Sequence, residues 1–228
     1  MRIRIKFAKT AHMQYTGHLD LHRTIERTMR RANLPLTYSQ GFSPKPKITL
    51  ASALPLGYTS ECELVDIWLD EDVDLMEMEK CFKQASPPGI QLLEMTQVDE
   101  RAPILQNVVH AAAFTVTLLE DNPELETRVA ELNEQENLPR ERKRKGKLKT
   151  YDLRPLIEEL KVLPEDEDER VHYEQVHEGR QRLHMRLTAL PGATGRPDEV
   201  LDALGIDPHD VRTHRTAIIL AEVPIAQP

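Results

Sequence analysis

The 228-residue chain has room for one large domain or two small ones of about 100 residues each, and a hydrophobic content of 39% is enough for a packed core, which excludes wholesale disorder. Net charge is −8, so the molecule as a whole does not attract nucleic acid, and any such binding falls to local basic patches. An aromatic fraction of 4% argues against a base-stacking sheet.

Residues Arg2 to Ala8 alternate apolar and basic, the period of a half-buried strand and not the apolar run of a leader. Thr16-Gly17 breaks the chain before a helix expected from His18 to Ala32, with Leu21, Ile25, Met29 and Ala32 on one face. Asn33-Leu34-Pro35 ends it, because the residue before a proline avoids the α region. Turn formers crowd Tyr38 to Lys47 too densely for a regular element. Ile48 to Leu54 reads as a strand and Pro55-Leu56-Gly57 as a turn. Cys62 to Leu69 alternates again, with Val65, Ile67 and Leu69 on one face and Leu64 and Trp68 on the other. A short helix over Met76 to Ala85 and a strand over Ile90 to Met95 complete a β-α-β-β-α-β order, the split βαβ or ferredoxin-like motif.

The second half is expected to repeat that order. Ala113 to Leu119 is a strand, Pro123 to Asn133 a helix, and Tyr151 to Leu163 is expected to hold one short helix. Arg182 to Leu190 is a strand, Pro197 to Leu204 a helix and Val211 to Leu220 the closing strand, with a loose tail after Ala221. The fold class expected is α+β, two ferredoxin-like units in tandem. The first occupies 1–100, and the second 108–221 with an insertion at about 138–181. The two halves share order but no visible residue pattern.

The first helix carries Arg23, Arg27, Arg30 and Arg31, the first three in a narrow stripe nearly opposite its apolar face. On one helix alone such a stripe is more often a solvated face than a site. Three features favour a site. Between Arg23 and Lys47 only Glu26 is acidic; every basic residue of the helix is arginine, whose planar fork suits phosphate; and the next loop sets Lys45 and Lys47 beside prolines that stiffen it. Ser39 lies in the same loop, and Gly41 would let a backbone approach a ligand closely. A second basic stretch contains Arg140, Arg142, Lys143, Arg144, Lys145, Lys147 and Lys149, followed by Arg154. Such runs bind nucleic acid or simply remain solvated, and the acidic run from Glu165 to Glu169 offers a partner across the insertion.

Signals for chemistry are thin. His18 and His22 stand at i and i+4 with Asp20 between them, but no third ligand is nominated, so no metal is expected. No nucleophile elbow, phosphate loop or dinucleotide fingerprint occurs, and no cofactor is expected. Cys62 and Cys81 lack the spacing of a zinc, iron–sulfur or disulfide framework and read as small apolar fillers. No stretch approaches the ~20 apolar residues that cross a bilayer, so a cytoplasmic protein without membrane contact is expected.

Several segments together resemble a known family. They are His18-Leu-Asp-Leu-His-Arg23, Arg30-Arg-Ala-Asn-Leu-Pro35, Tyr38-Ser-Gln-Gly-Phe-Ser-Pro-Lys-Pro-Lys-Ile48, Leu54-Pro-Leu-Gly57 and Ser60-Glu-Cys-Glu63. The chain is similar to the radical-SAM-linked proteins, a bacterial domain of unknown function found alone or fused behind a B12-binding radical SAM protein. The likeness is dense over the first 70 residues or so and looser through Lys145-Gly-Lys147 and Tyr151-Asp-Leu-Arg-Pro155. Two positions depart from it. Gly17 stands where the family has serine or a similar residue, and Ser43-Pro-Lys-Pro-Lys47 stands where Asn-Pro-His-Pro-Lys is common. The second change removes a histidine and makes the loop more basic, which favours phosphate contact over proton transfer.

The resemblance implies a radical SAM partner and a link to RNA or ribosome metabolism. Tandem ferredoxin-like halves are also similar in architecture to pseudouridine synthases and to certain endoribonucleases. Neither the Arg-Thr-Asp segment of the former nor the glycine-rich loop of the latter is present, so that likeness is one of fold alone. The reading that follows is a non-catalytic RNA-binding or substrate-presenting accessory protein. Its phosphate contacts would be Arg23, Arg27, Arg30, Arg31, Ser39, Gly41, Lys45 and Lys47, with Arg142, Lys143, Arg144, Lys145, Lys147 and Arg154 as a second clamp. The alternative is an RNA-modifying or RNA-processing enzyme, with His18, Asp20 or Asp152 near the chemistry.

Overall fold

In the first strand, β1 (Arg2–Lys9), Ile3, Ile5 and Phe7 are fully buried while Arg4 and Lys6 alternate with them as half-buried residues, as the sequence period requires. The structure is a computed structural model that describes residues 1–144, 147–164 and 180–221, with only the backbone described for residues 143, 144 and 147. It divides into two units, a first over Met1–Val109 with Leu220 and Ala221, and a second over residues 110–219. Helices and strands are mixed in both.

The first unit contains β1, α1 (His18–Arg31), β2 (Ile48–Leu50), β3 (Thr59–Trp68), α2 (Leu75–Ala85), β4 (Ile90–Val98) and the short α3 (Leu105–Val108). The strands lie in the order β4-β1-β3-β2 with every neighbour antiparallel. Ile3 pairs with Ile67 and Ile5 with Val65, so the apolar faces of β1 and β3 coincide. Leu21, Ile25 and Met29 of α1 and Met78 and Phe82 of α2 close on that face to form the core. Burying each such side chain stabilises by about 1.5–3 kcal/mol, which outweighs the modest helix propensity of either segment.

Helix α1 stops one residue short of the sequence expectation. Ala32 is its cap, and Asn33 takes a left-handed conformation at φ 52°. The Asn33 amide donates to Arg30 O (3.1 Å) and the Leu34 amide to Met29 O (3.3 Å), a Schellman closure. Leu34 then packs on the same core as Met29, so the helix end is set by the asparagine and its apolar follower as well as by Pro35. Helix α2 begins where Asp74 accepts from the Glu77 amide at 3.0 Å.

The second unit contains β5 (Val109–Leu118, its first residue assigned to the first unit), α4 (Leu125–Glu134), β6 (Pro139–Arg144), β7 (Lys147–Asp152), β8 (Ile157–Leu163), β9 (Arg182–Leu190), β10 (Ala193–Thr194), α5 (Pro197–Ala203) and β11 (Val211–Leu220). The order here is β11-β5-β9-β8, with β10 also against β9. Strands β6 and β7 form a separate antiparallel hairpin.

The strand expected over Ile48 to Leu54 ends at Leu50, α3 and β10 lie outside the sequence expectation, and two segments of the second unit differ from it in kind. The basic stretch is a strand pair, not an irregular run. The short helix expected within Tyr151 to Leu163 is a single 3-10 turn at Arg154–Leu156, and Ile157–Leu163 is a strand paired with β9. Ile157, Leu160 and Leu163 are spaced by three, which imitates a helical face. A register shift between Ile157 and Glu159 reconciles the first of those two intervals with a strand, and Leu163 is the strand's last residue.

Candidate nucleic-acid interface

The α1 surface follows from its packing. With Leu21, Ile25, Thr28 and Met29 buried, Arg23, Arg27, Arg30 and Arg31 are left exposed. They are not equally available. Arg23 pairs with Asp20 at 3.1 Å, Arg30 with Glu26 at 2.9 Å, and Arg31 donates to Thr28 Oγ1 at 3.4 Å. Arg27 makes no ion pair among the described residues. Exposed i,i+3 and i,i+4 pairs of this kind are worth a few tenths of a kcal/mol, so a phosphate can displace either carboxylate. Arg30 and Arg31 also stand in the last turn, where cations complement the helix dipole.

The loop after α1 is a short hairpin. Thr37 donates to Trp68 O and Lys47 donates to Thr37 O, each at 2.8 Å, which roots its base on β3. Tyr38 bridges Pro46. Above that, the Ser39 amide donates to Lys45 O (2.8 Å) and the Lys45 amide to Ser39 Oγ (3.0 Å). Ser39 is thus part of the stalk. Gly41, at the turn, adopts φ 128° and has open space where a Cβ would stand. Lys45 and Lys47 are exposed and make no ion pair among the described residues. Helix and hairpin are joined directly: the Arg30 guanidinium lies over the Tyr38 ring, 5.6 Å from its centroid.

The second basic element is the β6-β7 hairpin. Its ladder pairs Arg142 with Lys149 and Arg144 with Lys147, like charges directly across, while Arg140 faces Tyr151. Arg140 is held at the base by Asp202 and by Glu199 (3.7 Å) of α5. Burial, and then the nearby Glu199 carboxylate, push the Tyr151 hydroxyl above the ordinary tyrosine range. The acidic run suggested as a partner, Glu165 to Glu169, lies outside the described residues, as do Lys145 and the side chains of Lys143, Arg144 and Lys147. Arg142 is exposed. Arg154 is engaged: its guanidinium donates to Ile157 O (3.0 Å), Gln135 O (3.2 Å) and Asn133 O (3.3 Å), holding the end of α4.

Of the residues singled out for chemistry, His18 and Asp20 belong to the first unit and Asp152 to the second. Asp20 is exposed on α1 and occupied by Arg23. His18 starts the same helix, and His22 Nε2 lies 3.3 Å from Ile48 O. Asp152, in the second unit, accepts from the Leu138 amide (2.7 Å) and the Arg154 amide (3.0 Å), the work of a turn-closing carboxylate. Cys62 is buried, but Cys81 is half-exposed on α2 and not a core filler. No helix among the described residues is long and apolar enough to cross a membrane.

Two site residues escape the sequence reading, Tyr38 as the ring beneath Arg30 and Phe42 at the hairpin tip. The signal available for Phe42 was an aromatic next to a glycine inside a polar turn, where no core can use it.

These features define an α+β protein with a cationic helix–hairpin face in its first unit. The chain belongs to the family described as an uncharacterized protein conserved in bacteria (DUF2344), whose model matches residues 2–189. No curated protein matches it. Among solved structures it is similar to a chain of the crystal structure of a Cbf5-Nop10-Gar1 complex, at 10% identity and TM-score 0.47, over 95% of this chain and 48% of that one. The chain therefore spans about half the length of that relative. A second similar structure, of an unknown protein from Galdieria sulphuraria, is 11% identical with TM-score 0.25, over 95% of this chain and 98% of that one.

Proposed function

We propose that the protein is an RNA-binding or substrate-presenting accessory subunit of a radical SAM enzyme acting in RNA or ribosome metabolism. Each unit is read as ferredoxin-like, a reading supported by the matching strand orders β4-β1-β3-β2 and β11-β5-β9-β8. The radical SAM partner rests on the resemblance of the segments between His18 and Glu63. RNA binding rests on one observation, the Arg30–Tyr38 stacking that makes the arginine helix and the lysine hairpin one surface. Residues 18–47 bring six cations to it, Arg23, Arg27, Arg30, Arg31, Lys45 and Lys47, against two carboxylates, Asp20 and Glu26, with Glu100 also near Lys47. Phosphates are held by the cations, and the β6-β7 hairpin is a second clamp of the same sign.

Fluorescence anisotropy with a labelled single-stranded RNA tests this. Affinity should fall steeply with salt, because each neutralised phosphate releases counterions. Replacing Arg23, Arg27 and Arg30 together by Glu should abolish most binding and flatten the logarithmic salt slope by roughly two. Retained secondary structure by circular dichroism would show that the fold survives, since all three side chains are exposed. Affinity that is flat with salt, or unchanged in the triple variant, would overturn the proposal.

A further inference from the structure

We infer that Phe42 stacks on an unpaired nucleobase, so that the ligand of the cationic face is a single strand and not a duplex. The inference rests on the RNA-binding reading above and names its substrate class. Phe42 is fully exposed, the most exposed large hydrophobic side chain among the described residues. It therefore contributes nothing to a core, while an aromatic ring in water is unfavourable by the area it presents. It does not sit on a slack loop. Beneath it the Ser39–Lys45 and Tyr38–Pro46 rungs and the Lys47–Thr37 hydrogen bond make a stalk rooted on β3. Gly41, immediately before it, takes a backbone conformation that other residues adopt only with strain.

The surroundings supply the other half of the recognition. Lys45 and Lys47 are exposed on the same stalk, and Arg30 is stacked on Tyr38 at its base. An aromatic tip above a hydrogen-bonded stem that carries cations matches the two faces of a single strand, bases that stack and a backbone that needs neutralising. A duplex offers its phosphates to the same cations but hides its base faces, leaving Phe42 without a partner. The low aromatic content of the chain argues against stacking on a sheet, and one ring at a loop tip is compatible with it.

The test compares a labelled oligouridylate, alone and annealed to oligoadenylate, on the native protein and on Phe42→Ala and Phe42→Trp. Phe42→Ala should weaken single-strand binding about five- to hundredfold, the usual effect of removing one stacking ring, and leave duplex binding unchanged. Phe42→Trp should retain affinity, and its added fluorescence should be quenched by the single strand. Equal affinity of native protein for the single strand and the duplex, or an unchanged Phe42→Ala, would overturn the inference while leaving phosphate binding intact. No binding of either nucleic acid by the native protein would overturn the underlying reading as well. Loss of binding to anionic phosphatidylserine vesicles in Phe42→Ala, without loss on the oligonucleotide, would assign the tip to a lipid surface and refute stacking.

Discussion

Asp66 shows how few residues fasten the first unit. Its carboxylate, fully buried on β3, accepts from Arg2 Nη2 at 2.6 Å and Nε at 3.1 Å, and from Arg4 Nε at 2.8 Å and Nη2 at 3.0 Å. Arg2 also donates to Ala102 O and Pro103 O, and its guanidinium lies 4.9 Å from the centre of the Trp68 ring. A buried pair of this kind is weak evidence of net stabilisation, but removing one partner strands a buried charge. Asp66→Asn is therefore expected to lower stability by about 3–5 kcal/mol, read by urea denaturation. A loss well under 1 kcal/mol would show that Arg2 and Arg4 relax to water instead. These residues were legible only as alternation. The basic residues of β1 looked like one solvated face, and nothing in the spacing from Arg2 to Asp66 announces a pair.

Legibility varied between elements for a physical reason. Helix α1 could be read because its apolar stripe, its arginines and its terminator are all local in sequence. So could β1 and β3, whose period-two pattern is also local. Strand β8 could not, since its apolar spacing of three fits a helix until β9 supplies a partner and a bulge. The β6-β7 ladder was hidden in the same way: Arg, Lys and Glu are indifferent strand formers, and its base is fixed by α5, distant in sequence. Tyr151 makes that base measurable. Its hydroxyl keeps the proton in the folded protein at pH values where a free tyrosine, near 10.0, has lost it. There the unfolded chain binds fewer protons than the folded one, so stability should decline as pH rises from the ordinary tyrosine range toward the raised value. Ultraviolet difference spectra should show the delayed ionisation of one tyrosine, and Tyr151→Phe should remove both that component and the corresponding slope. A single unshifted tyrosine transition in the native protein would contradict the packing of Tyr151 beside Glu199.

At the scale of the whole molecule the charge distribution is the governing fact. A net charge of −8 repels a polyanion from most directions, whereas residues 18–47 carry six cations against two carboxylates. Encounter is productive only when the ligand meets the cationic face, and salt weakens that guidance over about 10 Å at 0.1 M. Stopped-flow mixing with the single-stranded RNA should show an association rate that falls with added salt, and falls least in the Arg23, Arg27 and Arg30 charge-reversal variant. An association rate indifferent to salt, with all the dependence in dissociation, would place the relevant charges in tight contacts and not in steering. The mixture of helices and strands was legible at this scale from element order, and so was the exposure of the α1 arginines. The stacking ring was not, because exposure is a property of the folded chain.

The central place of β1 has a consequence for synthesis. It leaves the ribosome before both of the strands that flank it, β3 and β4, which follow much later in the chain. Until they arrive both its edges are bare, the condition in which nascent chains pair with one another. Arg2, Arg4 and Lys6 along its length act then as gatekeepers, since two such strands brought side by side would oppose like charges. When β3 emerges it carries Asp66, and two of the three cations that kept the strand solitary become its fastening.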